Sequence, residues 1–208
     1  MDKPSISLVI ANDHPLIRAG IAALAEREPG LELLGEAVNA DEAIDSYTRL
    51  QPDILLVDLD IPGGGIDAIT RIRNGHGDAR IVVLTAHDGD EYVHRALSAG
   101  ASACLLKQAG FEEIVHCMRQ VANNRRYLPP QLAEKLARRI HTSALSRREL
   151  DILAHLSIGK SNKVIARDAG IGLGTVKYHV NNILSKLNVT CRTEAAHVGR
   201  ERGLLHAY

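Results

Sequence analysis

The chain has no tryptophan and a single phenylalanine, so large aromatic rings do not hold together whatever core its 208 residues build. Leu, Ile, Val and Ala must fill that core, and a hydrophobic content of 45% is enough for them to do so. Cysteine is also scarce. Cys104, Cys117 and Cys191 are odd in number, widely spaced and without C-x-x-C pairing. They are expected to be small apolar residues buried in a reducing compartment, not a disulfide framework. The ten histidines show no H-x-x-x-H or H-E-x-x-H spacing, which argues against a structural zinc site. No stretch approaches the roughly 18 apolar residues of a membrane span. Met1-Asp-Lys-Pro lacks the basic-then-apolar start of a signal peptide, so a soluble, cytoplasmic protein is expected.

Net charge is missing as well, at a formal zero, but only in the total. Residues 1–122 hold 19 acids against 10 bases, residues 123–141 one acid against five bases, and residues 142–208 five acids against ten bases. An acidic front joined to a basic back is the asymmetry of two domains with different partners. The expected division is 1–122, a linker at 123–142, and 143–208.

In the front part, short apolar runs alternate with segments of helical periodicity. Strands are expected at 5–10, 31–38, 54–57, 81–84 and 103–106. Helices are expected at 15–28, 41–50, 66–73, 90–99 and 111–121, the first with Leu16, Ile17, Ile21 and Leu24 as its inner stripe. Five such alternations imply right-handed βαβ units, and hence a doubly wound parallel sheet covered on both faces. Ile54–Val57 is apolar throughout, as in a strand buried on both sides, and Asp58 ends it. Pro62 and three glycines follow, which forbids a regular continuation. Taken alone, Asp58 fits equally well as the cap of the next turn.

Four strands, however, end in Asp13, Asp58, Thr85 and Lys107, which would share one edge of the sheet, where such folds place their chemistry. Asp13 and Asp58 can bind a hard divalent cation such as Mg²⁺. An ionised Asp58 is already a nucleophile toward a phosphoryl group, and Lys107 and the Thr85 hydroxyl can hold the phosphoryl oxygens. There is no G-x-x-x-x-G-K-[ST] loop, so nucleotide hydrolysis is not indicated.

Asn12-Asp13-His-Pro, Val-Asp58-Leu-Asp-Ile-Pro-Gly, Leu-Thr85-Ala and Leu-Leu-Lys107 together resemble the signature of bacterial response-regulator receiver domains. The resemblance implies a flavodoxin-like fold, phosphorylation of Asp58 by a partner sensor histidine kinase, and Mg²⁺ held by Asp13 and Asp58 with Asn12 acting through water. It makes Thr85 and Lys107 the residues that sense the phosphoryl group. Three positions depart from the family pattern. Asn12 replaces a second acid, Cys104 stands where an aromatic rotor is common, and Gln108 replaces a proline after Lys107.

The linker is polar and basic, with Pro129-Pro130 and a short helix expected at 131–140. Beyond it four helices without strands are expected. Ser146-Arg-Arg-Glu149 reads as a capping box, and Leu150, Ile152, Leu153 and Leu156 form the stripe that follows. Short helices at 161–168 and 175–187, joined by a glycine-containing turn, make a helix-turn-helix unit, and a last helix is expected at 193–202. On the third helix Lys177, Tyr178 and Asn181 share a face away from Val176, Val180, Ile183, Leu184 and Leu187. Helical pattern alone allows an ordinary solvated face, but the net positive charge of this segment favours DNA.

Leu-Ser-Arg-Arg-Glu149-Leu-Asp-Ile-Leu and Gly-Thr175-Val-Lys177-Tyr-His-Val-Asn-Asn-Ile-Leu-Ser-Lys-Leu resemble the LuxR-type domain of NarL/FixJ regulators. That resemblance implies a recognition helix in which Lys177, Tyr178 and Asn181 meet bases and Thr175 lies near phosphate. Val164 and Gly172 depart from the usual glutamate and serine.

Together these readings indicate a two-component, phosphorelay transcription regulator. Phosphorylation of Asp58 would control formation of a homodimer and binding to promoter half-sites, with no membrane partner and no metabolic enzyme activity. Asn12 and Cys104 motivate an alternative, a phosphorylation-independent regulator whose receiver serves as a protein-interaction or constitutive dimerisation module. A phosphatase acting through an acyl-phosphate is the third reading, disfavoured because no further acid or base accompanies Asp58.

Overall fold

The computed structural model describes residues 5–140 and 144–205, so the expected boundary at 142/143 lies outside the described residues. The chain divides into two compact units, Met1–His87 with Val93–Pro130, and Asp88–Tyr92 with Gln131–Tyr208.

The first unit carries β1 (Ile6–Ala11), α1 (Pro15–Arg27), β2 (Leu31–Ala37), α2 (Ala40–Leu50), β3 (Ile54–Val57), α3 (Gly65–Gly75), β4 (Ile81–Thr85), α4 (Asp90–Ala99) from Val93 on, β5 (Ala103–Leu106) and α5 (Phe111–Ala122). The strands form one sheet in the order β2-β1-β3-β4-β5, and every pairing is parallel. In each central strand alternate residues go to opposite faces. Ile54 and Leu56, Val82 and Leu84, and Ala103 and Leu105 pack with Ile21 and Leu24 of α1 and with Ile114, Met118 and Val121 of α5. Leu55, Val57, Val83 and Cys104 are left for the other face, and all four are completely buried. Ile54–Val57 is buried at every position, as its unbroken apolar run requires.

Leu16 does not join the α1 stripe; it is 84% exposed. It lies five residues before Ile21, about 140° round the helix, whereas Ile17, Ile21 and Leu24 follow the three-to-four spacing of one face. Cys104 and Cys117 are buried as expected, but Cys191 is exposed. It is the N-cap of a helix, at its outer end. Burial pushes the Cys104 and Cys117 thiols up to about 12, so both stay neutral and behave as small apolar groups. Cys104 belongs to one face of the sheet and Cys117 to the packing of α5 on the other.

The second unit holds α6 (Pro130–Ile140), α7 (Arg147–Ser157), α8 (Asn162–Asp168), α9 (Leu173–Leu187) and α10 (Arg192–Glu201). Ile152, Leu153 and Leu156 of α7 form one core with Ile165, Val176, Ile183, Leu187 and Ala195. The capping box at the start of α7 is present, with Ser146 N–H donating to Glu149 Oε2 at 2.7 Å and Glu149 N–H to Ser146 Oγ at 3.3 Å. The buried stripe of α7 begins at Glu149, not at Leu150, which is half-buried. Residues 149, 152, 153 and 156 have the three-to-four spacing of one helix face, and Leu150 sits beside it. Glu149 tolerates this place because Lys186 Nζ lies 2.8 Å from its carboxylate.

Candidate functional site

At the carboxyl edge of the sheet four neighbouring strands, β1, β3, β4 and β5, end beside one another. Asp58 N–H donates to the Ala11 carbonyl at 2.9 Å, and Lys107 N–H donates to the Thr85 carbonyl at 2.8 Å. The parallel ladders thus continue one step past β3 and β5, and the side chains that follow the strands are held in register. The Asp58 carboxylate is completely buried. Its Oδ2 accepts from Lys107 Nζ at 2.5 Å and from the Asn12 amide at 3.2 Å, and its Oδ1 accepts from Asp60 N–H at 3.3 Å. A buried carboxylate requires such partners, and a cation at this distance is the strongest available. Asn12 is also buried, and its Oδ1 accepts the His14 N–H at 2.8 Å. That local turn aims the amide nitrogen at Asp58.

Asp13 is exposed, beside Asp58. Ligand atoms of Asp13, His14 and Asp58 all lie within 4.8 Å of one another. A buried and an exposed carboxylate side by side offer two hard oxygen ligands of the kind a small divalent cation takes. His14 Nδ1 is 2.7 Å from Asp13 Oδ1. Thr85 is buried at the end of β4, and its hydroxyl accepts the His87 N–H at 3.0 Å.

A neighbouring constraint is backbone on backbone. A Cβ on Gly65 would stand 2.2 Å from the Asp58 carbonyl oxygen and 2.7 Å from Leu59 Cα. Only glycine lets the start of α3 close so tightly behind Asp58.

In the second unit α8, the turn at 169–172 and α9 form the helix-turn-helix. Gly170 takes φ of +64° in that turn, and Arg148 donates to the Ala169 carbonyl at 2.8 Å, fastening it to α7. Ser161 caps α8, accepting the Val164 N–H, while Gly172 caps α9 without a side-chain bond. Val176, Ile183 and Leu187 anchor α9 in the core. Thr175, Lys177, Tyr178 and Asn181 are all exposed, and none has a side-chain hydrogen bond or ion pair among the described residues. Tyr178 is 64% exposed, and its ring meets His179 edge-on.

The model of the response regulator receiver domain matches residues 8–119, and that of the bacterial regulatory proteins of the luxR family matches residues 143–199. The transcriptional regulatory protein LiaR of Bacillus subtilis is 36% identical over 200 residues, covering 92% of this chain and 95% of that protein. The chain belongs to the NarL/FixJ family of response regulators. A crystal structure of the response regulator ChrA from a heme-sensing two-component system is similar to this one. It has a TM-score of 0.58 and 30% identity, over 98% of this chain and 100% of that one. The RcsB–DNA complex shares the fold at 21% identity, with a TM-score of 0.73, over 95% of this chain and 98% of that one.

In this response regulator, then, the five-stranded parallel sheet belongs to the receiver and α7–α10 to the LuxR-type domain. The class is one of DNA-binding transcription regulators. No helix among the described residues is long and apolar enough to cross a membrane. The structure brings Asp13, Asp58, Asn12 and Lys107 together at the receiver edge and places Thr85 at the end of the adjoining strand. Sequence reasoning missed three features there. His14 joins the Asp13 cluster, Gly65 backs Asp58, and His87 Nε2 lies 2.9 Å from Asp60 Oδ2 on the rim. His14 follows directly on Asp13 in the chain, which was a usable signal. The Asp60–His87 pair spans two loops and left no sequence signal.

Proposed function

We propose that phosphorylation of Asp58 by a sensor histidine kinase switches this regulator between states that differ in dimerisation and promoter affinity. The receiver occupies residues 1–122, the linker 123–142 and the DNA-binding domain 143–208. One observation carries the reading: a fully buried carboxylate at a strand end, with an ammonium 2.5 Å from it. The Asp58 oxygen forms a new P–O bond as the donor's phosphohistidine P–N bond breaks, and no general base is needed because the carboxylate is already ionised. Lys107 Nζ then passes from the carboxylate to a phosphoryl oxygen, and the Thr85 hydroxyl, which accepts the His87 N–H through a lone pair, donates its own proton to another. Asp13 and Asp58 would hold Mg²⁺, with Asn12 contributing through water from its remaining lone pair. When bound, the cation offsets charge on the phosphoryl oxygens.

The output is promoter binding as a symmetric pair, with α9 in the major groove. Lys177, Tyr178 and Asn181 meet base edges, and Thr175 meets phosphate. Support comes from the outward placement of all four residues on one anchored helix. RcsB, of the same fold, is recorded in complex with DNA.

The alternative of a phosphorylation-independent receiver rests on Asn12, whose amide already occupies Asp58, and on Cys104, which is too small to act as a rotor. Intact mass after incubation with acetyl phosphate and Mg²⁺ separates the two. A labile single-phosphate adduct on the wild type, absent from Asp58→Asn, is the expected result. A folded protein that takes no phosphate from either acetyl phosphate or a phosphorylated kinase domain would move the assignment to the alternative.

A further inference from the structure

The opposite, amino-terminal edge of the receiver sheet holds a cavity of about 200 Å³ that the phosphorylation chemistry does not use. Four arginines line it, Arg73, Arg80, Arg125 and Arg126, against one acid, Asp78, with Ser102 beside them. Arg73 and Arg80 come from the front segment, where acids outnumber bases by nearly two to one, and the basic linker adds Arg125 and Arg126 to them.

The backbone around the cavity is closely specified. Asn124 takes a left-handed φ of +59° after α5, turning the chain so that Tyr127 pairs with Ala103 at the start of β5. Arg125 and Arg126 are thereby carried back along the sheet edge. Gly100 has φ of +110°, and a Cβ there would stand 2.8 Å from Arg73 Cγ and 2.9 Å from its Nε. The missing side chain is the space through which Arg73 reaches the cavity. Arg73 spends one donor on the Ala79 carbonyl at 2.9 Å, and Arg80 spends its Nε on Asn124 Oδ1 at 2.9 Å. Arg80 also lies 4.0 Å from Asp53 Oδ1, but each guanidinium has five donors, so both keep donors unspent. Arg125 and Arg126 have no side-chain hydrogen bond or ion pair among the described residues. Gathering four cations around a small polar space costs repulsion, and a multivalent oxyanion relieves it.

We infer that this cavity binds a small multivalent phosphate, either a free oxyanion or the phosphate chain of a nucleotide. Its volume accommodates a diphosphate group, so a nucleoside would project outward past Arg125 and Arg126.

The test is calorimetric titration of the full-length protein at low ionic strength with orthophosphate, pyrophosphate and ADP. Wild type, Arg125→Gln/Arg126→Gln, Asp58→Asn and Lys177→Ala are compared. Pyrophosphate should bind one per chain and more tightly than orthophosphate, and the double arginine variant should lose about tenfold or more in affinity. Asp58→Asn and Lys177→Ala should bind as the wild type does, which separates this site from the phosphoacceptor edge and from the DNA surface. The double variant should melt at the wild-type temperature, because the side chains it removes make no internal bond. ADP binding as tightly as pyrophosphate would identify a nucleotide's phosphate chain, and ADP binding much more weakly a free oxyanion. Absence of saturable binding to any of the three, or an affinity unchanged by loss of both arginines, overturns the inference.

Discussion

The two candidate working surfaces are built in opposite ways. At the receiver edge every group is already engaged: Asp58 with Lys107, Asn12 and the Asp60 N–H, and Thr85 with the His87 N–H. On α9 the side chains assigned to DNA touch almost nothing, and the helix beneath them is fixed by Val176, Ile183 and Leu187. Covalent chemistry on one atom demands that its neighbours be placed beforehand, within a few tenths of an ångström. A long polyanion brings its own regular array of charges, so the protein need only hold a rigid helix and leave long side chains free. Changes at the first surface should therefore alter folding and chemistry together, and changes at the second binding alone.

The largest effect that would sharpen this contrast belongs to a residue with no side chain. Gly65→Ala places a methyl group 2.2 Å from the Asp58 carbonyl oxygen, against backbone that cannot rotate away. We expect the receiver to lose about 2–4 kcal/mol of stability, read as a lower urea midpoint, and phosphate uptake at Asp58 to fall with it. An unchanged midpoint would mean that the loop opens freely and the tight closure behind Asp58 is not a constraint.

This contrast also explains what could be read from the chain alone. Asp58, Thr85 and Lys107 each directly follow an apolar run and Asp13 follows one after Asn12, and parallel topology sends all such positions to one edge, so their convergence was legible. The contacts of Asn12 were not, because they depend on a turn that ties its Oδ1 to the His14 N–H and directs its nitrogen at Asp58. Gly65 read only as one of three helix-breaking glycines, since a close approach of backbones has no one-dimensional signature. In the second unit periodicity marked the core face of α7, but it suggested Leu150 where the stripe takes Glu149. A charged residue on a core face is legible only once its partner, here Lys186, is known to be near. The exposed Leu16 and Cys191 show the same limit, because apolar character alone does not place a residue inside.

A smaller but cleaner effect is expected on α9. Lys177 is exposed and without an internal partner among the described residues, so Lys177→Ala should leave the melting temperature unchanged. Promoter binding should weaken by about 1–3 kcal/mol, with relaxed discrimination at one base position if the contact is to a base edge. If the contact is to phosphate, binding should weaken uniformly across sequences and the salt slope fall by about 1. Fluorescence anisotropy across a salt series distinguishes these outcomes. An unchanged affinity would remove Lys177 from the interface, and a lowered melting temperature would break the proposed contrast.

The smallest effect tests whether the second unit has any prebuilt polar site of its own. Burial alone would raise the Glu149 pKa, but the hydrogen bonds from Lys186 and Ser146 outweigh it and hold the group below its ordinary value of 4.5. A folded-state pKa below the unfolded one means that the carboxylate stabilises the fold above about pH 4.5, and that this contribution fades as pH falls through the folded value. Glu149→Gln keeps an acceptor for the Ser146 N–H but loses the charge that faces Lys186, at an expected cost of about 1 kcal/mol near neutral pH. The gap in urea midpoint between wild type and variant should stay constant from neutral pH down to about 5, then close below 4.5 as the wild-type carboxylate takes up its proton. DNA affinity at neutral pH should be unchanged, since Glu149 lies in the core behind α9, not on its outer face. A gap that persists undiminished in acid would assign the stabilisation to shape alone, leaving the helical unit without a prebuilt ionic site and widening its difference from the receiver edge.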